Sequence, residues 1–282
     1  MGDDEMTTTR KARVDALIKG LRTQKAMRSA EPSSRSGSQG ANPCPAAFDF
    51  ASLPEFETYR AMERALARFG LNSPYFKLHD GVPGAEQDIN EATRLNFASY
   101  DYLGLNGDPR IRGAVETALD RWGISPGASR VVGGERACHR DLEASLARLH
   151  GVEDAVAMVS GHATNVTTLR TLLGPEDLVI TDALSHNSLV EGATLSGATR
   201  LTFPHNDYDW LERELKRVRH LHRHALIAVE GLYSMDGDSP DLARLISIKA
   251  RHGAWLMVDE AHSVGVLGPT GRGLAEEQGL DP

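Results

Sequence analysis

An acid and an imidazole stand three residues apart at Asp259 and His262, where the apolar run Gly253-Ala-Trp-Leu-Met-Val258 ends. Such a run reads as a buried strand. A strand that delivers a carboxylate to its C-terminal end, with a His on the next loop, is how an open α/β sheet builds a site. Ala261, Ser263 and Gly265 are small and leave room for a flat group. A carboxylate so placed can keep a pyridine nitrogen protonated and make the ring an electron sink, which is what pyridoxal phosphate (PLP) chemistry needs. An ordinary buried strand with a solvated acidic end accounts for this stretch equally well.

Three further strand exits carry reactive types. Ser160-Gly161-His162-Ala163-Thr164-Asn165 stands at an expected helix start. There backbone N–H groups and the helix dipole favour an anion, and Gly161 lets a phosphate approach the backbone. In TDALSHNSL, His186 opens a helix, where its ring can lie flat over a heteroaromatic ring or simply cap and pack locally. Val229 to Asp238 offers the acid Glu230, the hydroxyl of Ser234 and a glycine turn. Each motif alone is weak; their convergence at successive exits is the stronger signal.

These exits need a sheet to hold them. From Val152 onward the pattern alternates strand and helix. Strands are expected at 155–159, 178–181, 198–203, 225–229 and 254–259. Helices are expected at 161–173, 185–195 and 207–219, with another capped by Ser239-Pro240 and running to about His252. This alternation implies an α/β fold with a mostly parallel sheet covered on both faces. Before it come a helix from Pro54 to Phe69, short strands and turns from Tyr75 to Asn96, and a helix opened by Asp108 as N-cap and Pro109 at N1. Ile111, Val115, Leu119 and Trp122 line that helix. A loop, GISPGASRVVGG, leads to another with Leu142, Leu146 and Leu149 on one face. Residues 1–47 read as an arm, with a possible short helix at 10–28, and a Ser/Pro/Gly-rich linker. The expected organisation is 1–47 arm and linker, 48–122 a small helical segment, and 123–282 the larger domain.

The 282 residues include 40% hydrophobic and 25% charged types, ordinary for a globular chain. A net charge of -8 argues against nucleic acid as the main partner. Two cysteines are too few for a disulfide framework and fit a reducing, cytoplasmic setting. No apolar run approaches a membrane span. His220, His222 and His224 alternate, but they cross from a helix end into a strand start and read as a surface run rather than a metal site.

From Asn96 to Pro282 the chain resembles the α-oxoamine synthases, PLP-dependent acyltransferases of fold type I. The segments that carry the resemblance are NFASYDYLGL, GASRVVGG followed by His139, SGHATN, DALSHNSL, EGLYSMDGD and VDEAHSVGVLGPTGRG. The resemblance implies that Gly161 and His162 hold the PLP phosphate through backbone N–H groups, although the family often has an aromatic at the His162 position. It implies that His186 stacks on the ring, Asp259 pairs with the pyridine nitrogen and His262 with the phenolic oxygen. Ser234 would contact the cofactor near that oxygen, and Glu230 would support the network. The implied substrates are an amino acid and an acyl thioester, on coenzyme A or an acyl carrier protein, and the implied assembly is a homodimer.

Two departures qualify these expectations. Tyr100 stands where several members have Asn, a feature similar to the serine palmitoyltransferase branch. The family's Schiff-base Lys belongs to a loop beyond Gly279-Leu280-Asp281-Pro282, and none of Lys77, Lys216 or Lys249 has its context. The expectation is therefore a C-terminally truncated, inactive chain without the small C-terminal domain. The alternative is a lysine-less subunit that scaffolds an active homologue.

Overall fold

The structure, a computed structural model, describes residues 50–71, 73, 75–90 and 92–280. Residues 10–28, read as either a short helix or a frayed arm, and the linker lie outside the described residues. Two compact units divide between Tyr75 and Phe76.

The described part of the first unit is a short turn at Phe50–Ser52 and helix α1, Pro54–Arg68. Pro54 at N1 and the acids Glu55 and Glu57 suit a helix start. Tyr59, Met62, Ala65 and Leu66 are its half-buried residues, at helical spacing.

The second unit opens with an antiparallel sheet of β1 (His79–Asp80), β2 (Glu86–Ile89) and β3 (Ala92–Leu95). Helix α2 (Pro109–Trp122) follows, capped by Asp108, whose carboxylate accepts from Arg110 N. Its apolar stripe of Ile111, Val115 and Leu119 is exposed. In α3 (Ala137–His150) the buried residues are Glu143 and Ala147, and Leu142 is exposed.

Then come α4 (Gly161–Leu172), β4 (Leu178–Asp182), α5 (Asn187–Ser196), β5 (Thr199–Phe203), α6 (Tyr208–Val218), β6 (Ala225–Glu230), α7 (Leu242–His252), β7 (Trp255–Asp259) and α8 (Leu274–Glu277). The sheet order is β5-β4-β6-β7, all parallel. Side-chain alternation separates two cores. Leu178, Ile180, Ile227 and Val229 pack with Leu211, Leu215, Leu245 and Ile248 of α6 and α7. Val179, Leu226 and Ala228 pack with Leu169, Leu189 and Ala193 of α4 and α5. Helices therefore cover both faces, as the alternation required.

Two local expectations are corrected. Residues 155–159 form no strand. The backbone of Ala157 is occupied by side chains: its N–H donates to Glu143 at 2.9 Å and its carbonyl accepts from Arg130 at 3.0 Å. The cap of α7 is Asp241, whose carboxylate accepts from Arg244 N at 2.9 Å, rather than Ser239-Pro240. The carbonyl of Pro240 is used elsewhere, accepting from Gln278 Nε2 at 2.7 Å.

Candidate active site

Parallel strands bring their C-terminal ends together, so residues distant in sequence meet there. The register sets Glu230 beside Asp259 at the tips of β6 and β7. Gly231 N donates to Asp259 O at 2.8 Å and carries the pairing one residue further. A Cβ at Gly231 would meet the Glu260 and Ser263 side-chain oxygens at 2.5 Å, so any other residue there would have to push those side chains aside.

Asp259 has both carboxylate oxygens engaged: Oδ1 accepts from Ala261 N at 3.0 Å, and Oδ2 from Asn165 Nδ2 at 2.7 Å. Asn165 is buried in the second turn of α4. The same amide donates to Ser188 Oγ at 2.8 Å, and Ser188 Oγ lies 2.7 Å from His186 Nδ1. Asp259, Asn165, Ser188 and His186 thus form one hydrogen-bonded chain across β7, α4 and α5.

His186 both caps and faces outward. Its Nδ1 accepts from Ser188 N at 3.2 Å at the start of α5, while its ring is exposed and lines a cavity of about 510 Å³. Tyr100, Tyr102, Ala261 and His262 line the same cavity. His262 is fixed through Nδ1 by the Tyr102 hydroxyl at 2.7 Å, and the Tyr100 ring stands edge-on to it at 6.0 Å.

Below this surface, Glu230 accepts from His186 N at 2.5 Å. Its side chain is buried, and burial pushes its pKa up to about 7, against hydrogen bonds from the backbone of His186 and Ser234 and with help from the negative charges of Asp259 and Asp182. Ser234 itself is exposed on the turn after β6.

At the start of α4, Ser160 Oγ accepts from Ala163 N at 3.1 Å and Ser160 O from Thr164 N at 2.9 Å. The N–H groups of Gly161 and His162 have no acceptor among the described residues, and a Cβ at Gly161 would meet nothing within 4 Å. The His162 ring stands edge-on to His186 at 6.3 Å, and its Nε2 lies 3.2 Å from Glu191.

Every candidate residue therefore joins one connected region. Sequence reasoning assigned nothing to Asn165, Ser188 or Tyr102. Asn165 had a readable signal, an amide one turn inside an apolar helix face. The partners of Ser188 and Tyr102 depend on tertiary placement.

The model of the family "Aminotransferase class I and II" matches residues 92–279. A putative 8-amino-7-oxononanoate synthase from Gloeobacter violaceus is 44% identical over 204 residues, 72% of this chain and 53% of that protein. An 8-amino-7-oxononanoate synthase from Fervidobacterium nodosum is 38% identical over 79% of this chain and 58% of its own length. Among solved structures, a serine palmitoyltransferase from Sphingomonas wittichii superposes with a TM-score of 0.77 at 34% identity, over 82% of this chain and 58% of that one. A serine palmitoyltransferase from S. paucimobilis, solved with PLP–myriocin bound, gives the same TM-score at 32% identity, over 83% of this chain and 58% of that one. The chain belongs to the aminotransferase class I and II family. Within it, the relatives of both kinds make it a member of the α-oxoamine synthases. It spans about half the length of the curated relatives it matches. No helix among the described residues is long and apolar enough to cross a membrane.

Proposed function

We propose that the protein carrying this chain uses PLP to join an amino acid to an acyl thioester, on coenzyme A or an acyl carrier protein, giving an α-aminoketone and, as a rule, CO2. The observation that carries this reading is the Asn165–Asp259 clamp beside the His186 and His262 rings. An amide that donates to Asp259 keeps the carboxylate turned to its strand tip and leaves it an acceptor for a ring N–H.

The residues fit the cofactor. Two uncommitted N–H groups at Gly161 and His162 open a twelve-residue helix, and a Cβ on Gly161 would meet nothing within 4 Å, which suits a phosphate. When bound, PLP supplies an electron sink for the carbanion that attacks the thioester. Asp259 would hold the proton on the ring nitrogen. His186, held by Ser188 and Glu230, would cover the ring and orient the amino acid. His262, fixed by Tyr102, would hydrogen-bond the phenolic oxygen, and Ser234 would add a hydroxyl near it. Tyr100, which lines the same cavity, would border the bound substrate. A homodimer is the assembly this reading carries.

The test uses the full-length protein with PLP, a panel of small amino acids and a panel of acyl-CoA and acyl-pantetheine donors, reading release of free thiol. Thiol release should require both PLP and an amino acid, and Asp259→Asn should lower it at least on the order of a hundredfold. Release without PLP, or at the wild-type rate in Asp259→Asn, would sink the reading.

A further inference from the structure

His205 follows β5 and belongs to none of the groups assigned above. Its Nδ1 lies 2.9 Å from Asp182 Oδ1, and its Nε2 lies 2.8 Å from Asp238 Oδ2. Asp182 ends β4, has no exposed side-chain surface and opens the loop that leads to His186. Asp238 closes the turn that follows β6 and carries Ser234. β4 lies between β5 and β6, so His205 sits where both exits can be reached at once.

We propose that His205 is a positioning residue: its ring cross-ties the loop carrying His186 to the loop carrying Ser234. The inference rests on the PLP reading for the importance of those two loops, but the tie itself does not.

The chemistry of the ring makes the tie conditional. Two carboxylates can both be satisfied only by an imidazolium, which donates from both nitrogens. Burial opposes that charge, but the hydrogen bonds and charges of Asp182 and Asp238 outweigh it and hold the pKa above the ordinary histidine value. A neutral ring keeps one N–H. The buried Asp182, with two further donors in Leu184 N and Asn206 N, orients that proton toward Nδ1. Nε2 then becomes an acceptor facing a carboxylate. Asn206 Nδ2, 3.1 Å from both Nε2 and Asp238 Oδ2, can turn to the ring, and the Asp238 contact is lost.

The surroundings add no competing charge at the ring. Tyr233 stands edge-on at 4.6 Å, and Tyr208 reaches it only through Asn206, to which its hydroxyl donates. Arg244 lies over the far Tyr208 ring at 5.1 Å, and Asp241 meets the Tyr208 hydroxyl through its backbone N–H. The turn has a second anchor in Tyr233, which is 1% exposed, so loss of the tie loosens the turn without unfolding the sheet.

Hydrogen exchange on the full chain tests this, with Asp238→Ala, which leaves no acceptor at the half-exposed end, and His205→Gln as the second variant. At pH 6 both variants should speed exchange of amides in 183–187 and in 232–238 by roughly tenfold, the size expected for a lost charged hydrogen bond. Amides within β4 and β6 should not change. As pH rises through the His205 pKa, the wild type should converge on His205→Gln. Glu230 titrates in both proteins, so their difference isolates His205. PLP should bind His205→Gln several-fold more weakly at pH 6 and equally at pH 9. Loosening of only one loop, or a wild-type-minus-variant difference that does not change with pH, overturns the proposal. So does unchanged PLP affinity when both loops loosen. If the wild type binds no PLP at all, the proposed function fails, and the exchange data still decide the tie.

Discussion

Asn165 Nδ2 stands 2.7 Å from Asp259 Oδ2, across 94 positions of sequence. The amide is buried and also holds Ser188, so one side chain sets both the acid at the tip of β7 and the imidazole at the start of α5. Asn165→Ala removes both donations and leaves Asp259 held on one oxygen, by Ala261 N. A lost hydrogen bond to a charged group costs about 1.5–3 kcal/mol, so PLP affinity should fall on the order of tenfold to a hundredfold. Titration of the cofactor absorbance checks it, and wild-type affinity in Asn165→Ala would show that the clamp is idle.

That clamp depends on close helix packing. A Cβ on Gly192 of α5 would lie 3.0 Å from Asn165 O and from Val166 Cα, and 3.1 Å from Leu169 Cβ. Backbone cannot yield cheaply there. Gly192→Ala should destabilise the chain by about 1–3 kcal/mol, the usual cost of overpacking, despite the better helix propensity of alanine. Chemical denaturation measures it; a neutral or stabilising result would mean that the α4–α5 contact is looser than the geometry requires.

Among the described residues, the Tyr102 hydroxyl at 2.7 Å is the only hydrogen-bond partner of the His262 ring. Tyr102 is half-exposed, so Tyr102→Phe should leave the thermal midpoint within a few degrees of wild type, as for most surface changes. The His262 ring should lose its fixed orientation, and the cofactor absorbance maximum should shift because the phenolic oxygen loses an oriented donor. An identical spectrum in Tyr102→Phe would remove His262 from contact with that oxygen.

What the sequence made legible divides along physical lines. The strands at 178–182, 225–230 and 255–259 were readable because each is a largely apolar run bounded by turn or capping residues, whereas 199–203, Thr-Arg-Leu-Thr-Phe, was readable from its place in the strand–helix alternation. The exits were readable because chemistry in such sheets collects at strand ends. The stretch 155–159 is as apolar, yet it joins no ladder, because Arg130 and Glu143 take the backbone of Ala157. Composition reports an apolar segment's preference for burial but not whether a neighbouring strand is there to pair with it. The same limit hid Tyr102: its partner His262 lies 160 positions away, and no local pattern encodes that meeting.

Glu230 gives the clearest pH signature. The residue is 3% exposed, and its pKa is pushed from the ordinary 4.5 up to about 7. A carboxyl raised on folding stabilises the native state fully below about 4.5, where it is protonated in both states. That contribution is then lost as pH rises through about 7, because the unfolded chain ionises freely while the folded site resists the charge. The loss is on the order of 3 kcal/mol at most. Glu230→Gln keeps an oxygen to accept from His186 N and removes the titration. Stability measured by denaturant from pH 4.5 to 8 should fall in the wild type and stay flatter in Glu230→Gln. Asp177, paired with Arg223, is held near 2 and adds no slope in this window. His205 titrates here too, with the same sign, but equally in both proteins. The difference between the two curves therefore belongs to Glu230, and parallel curves would show that its carboxyl ionises in the folded chain as readily as in the unfolded one.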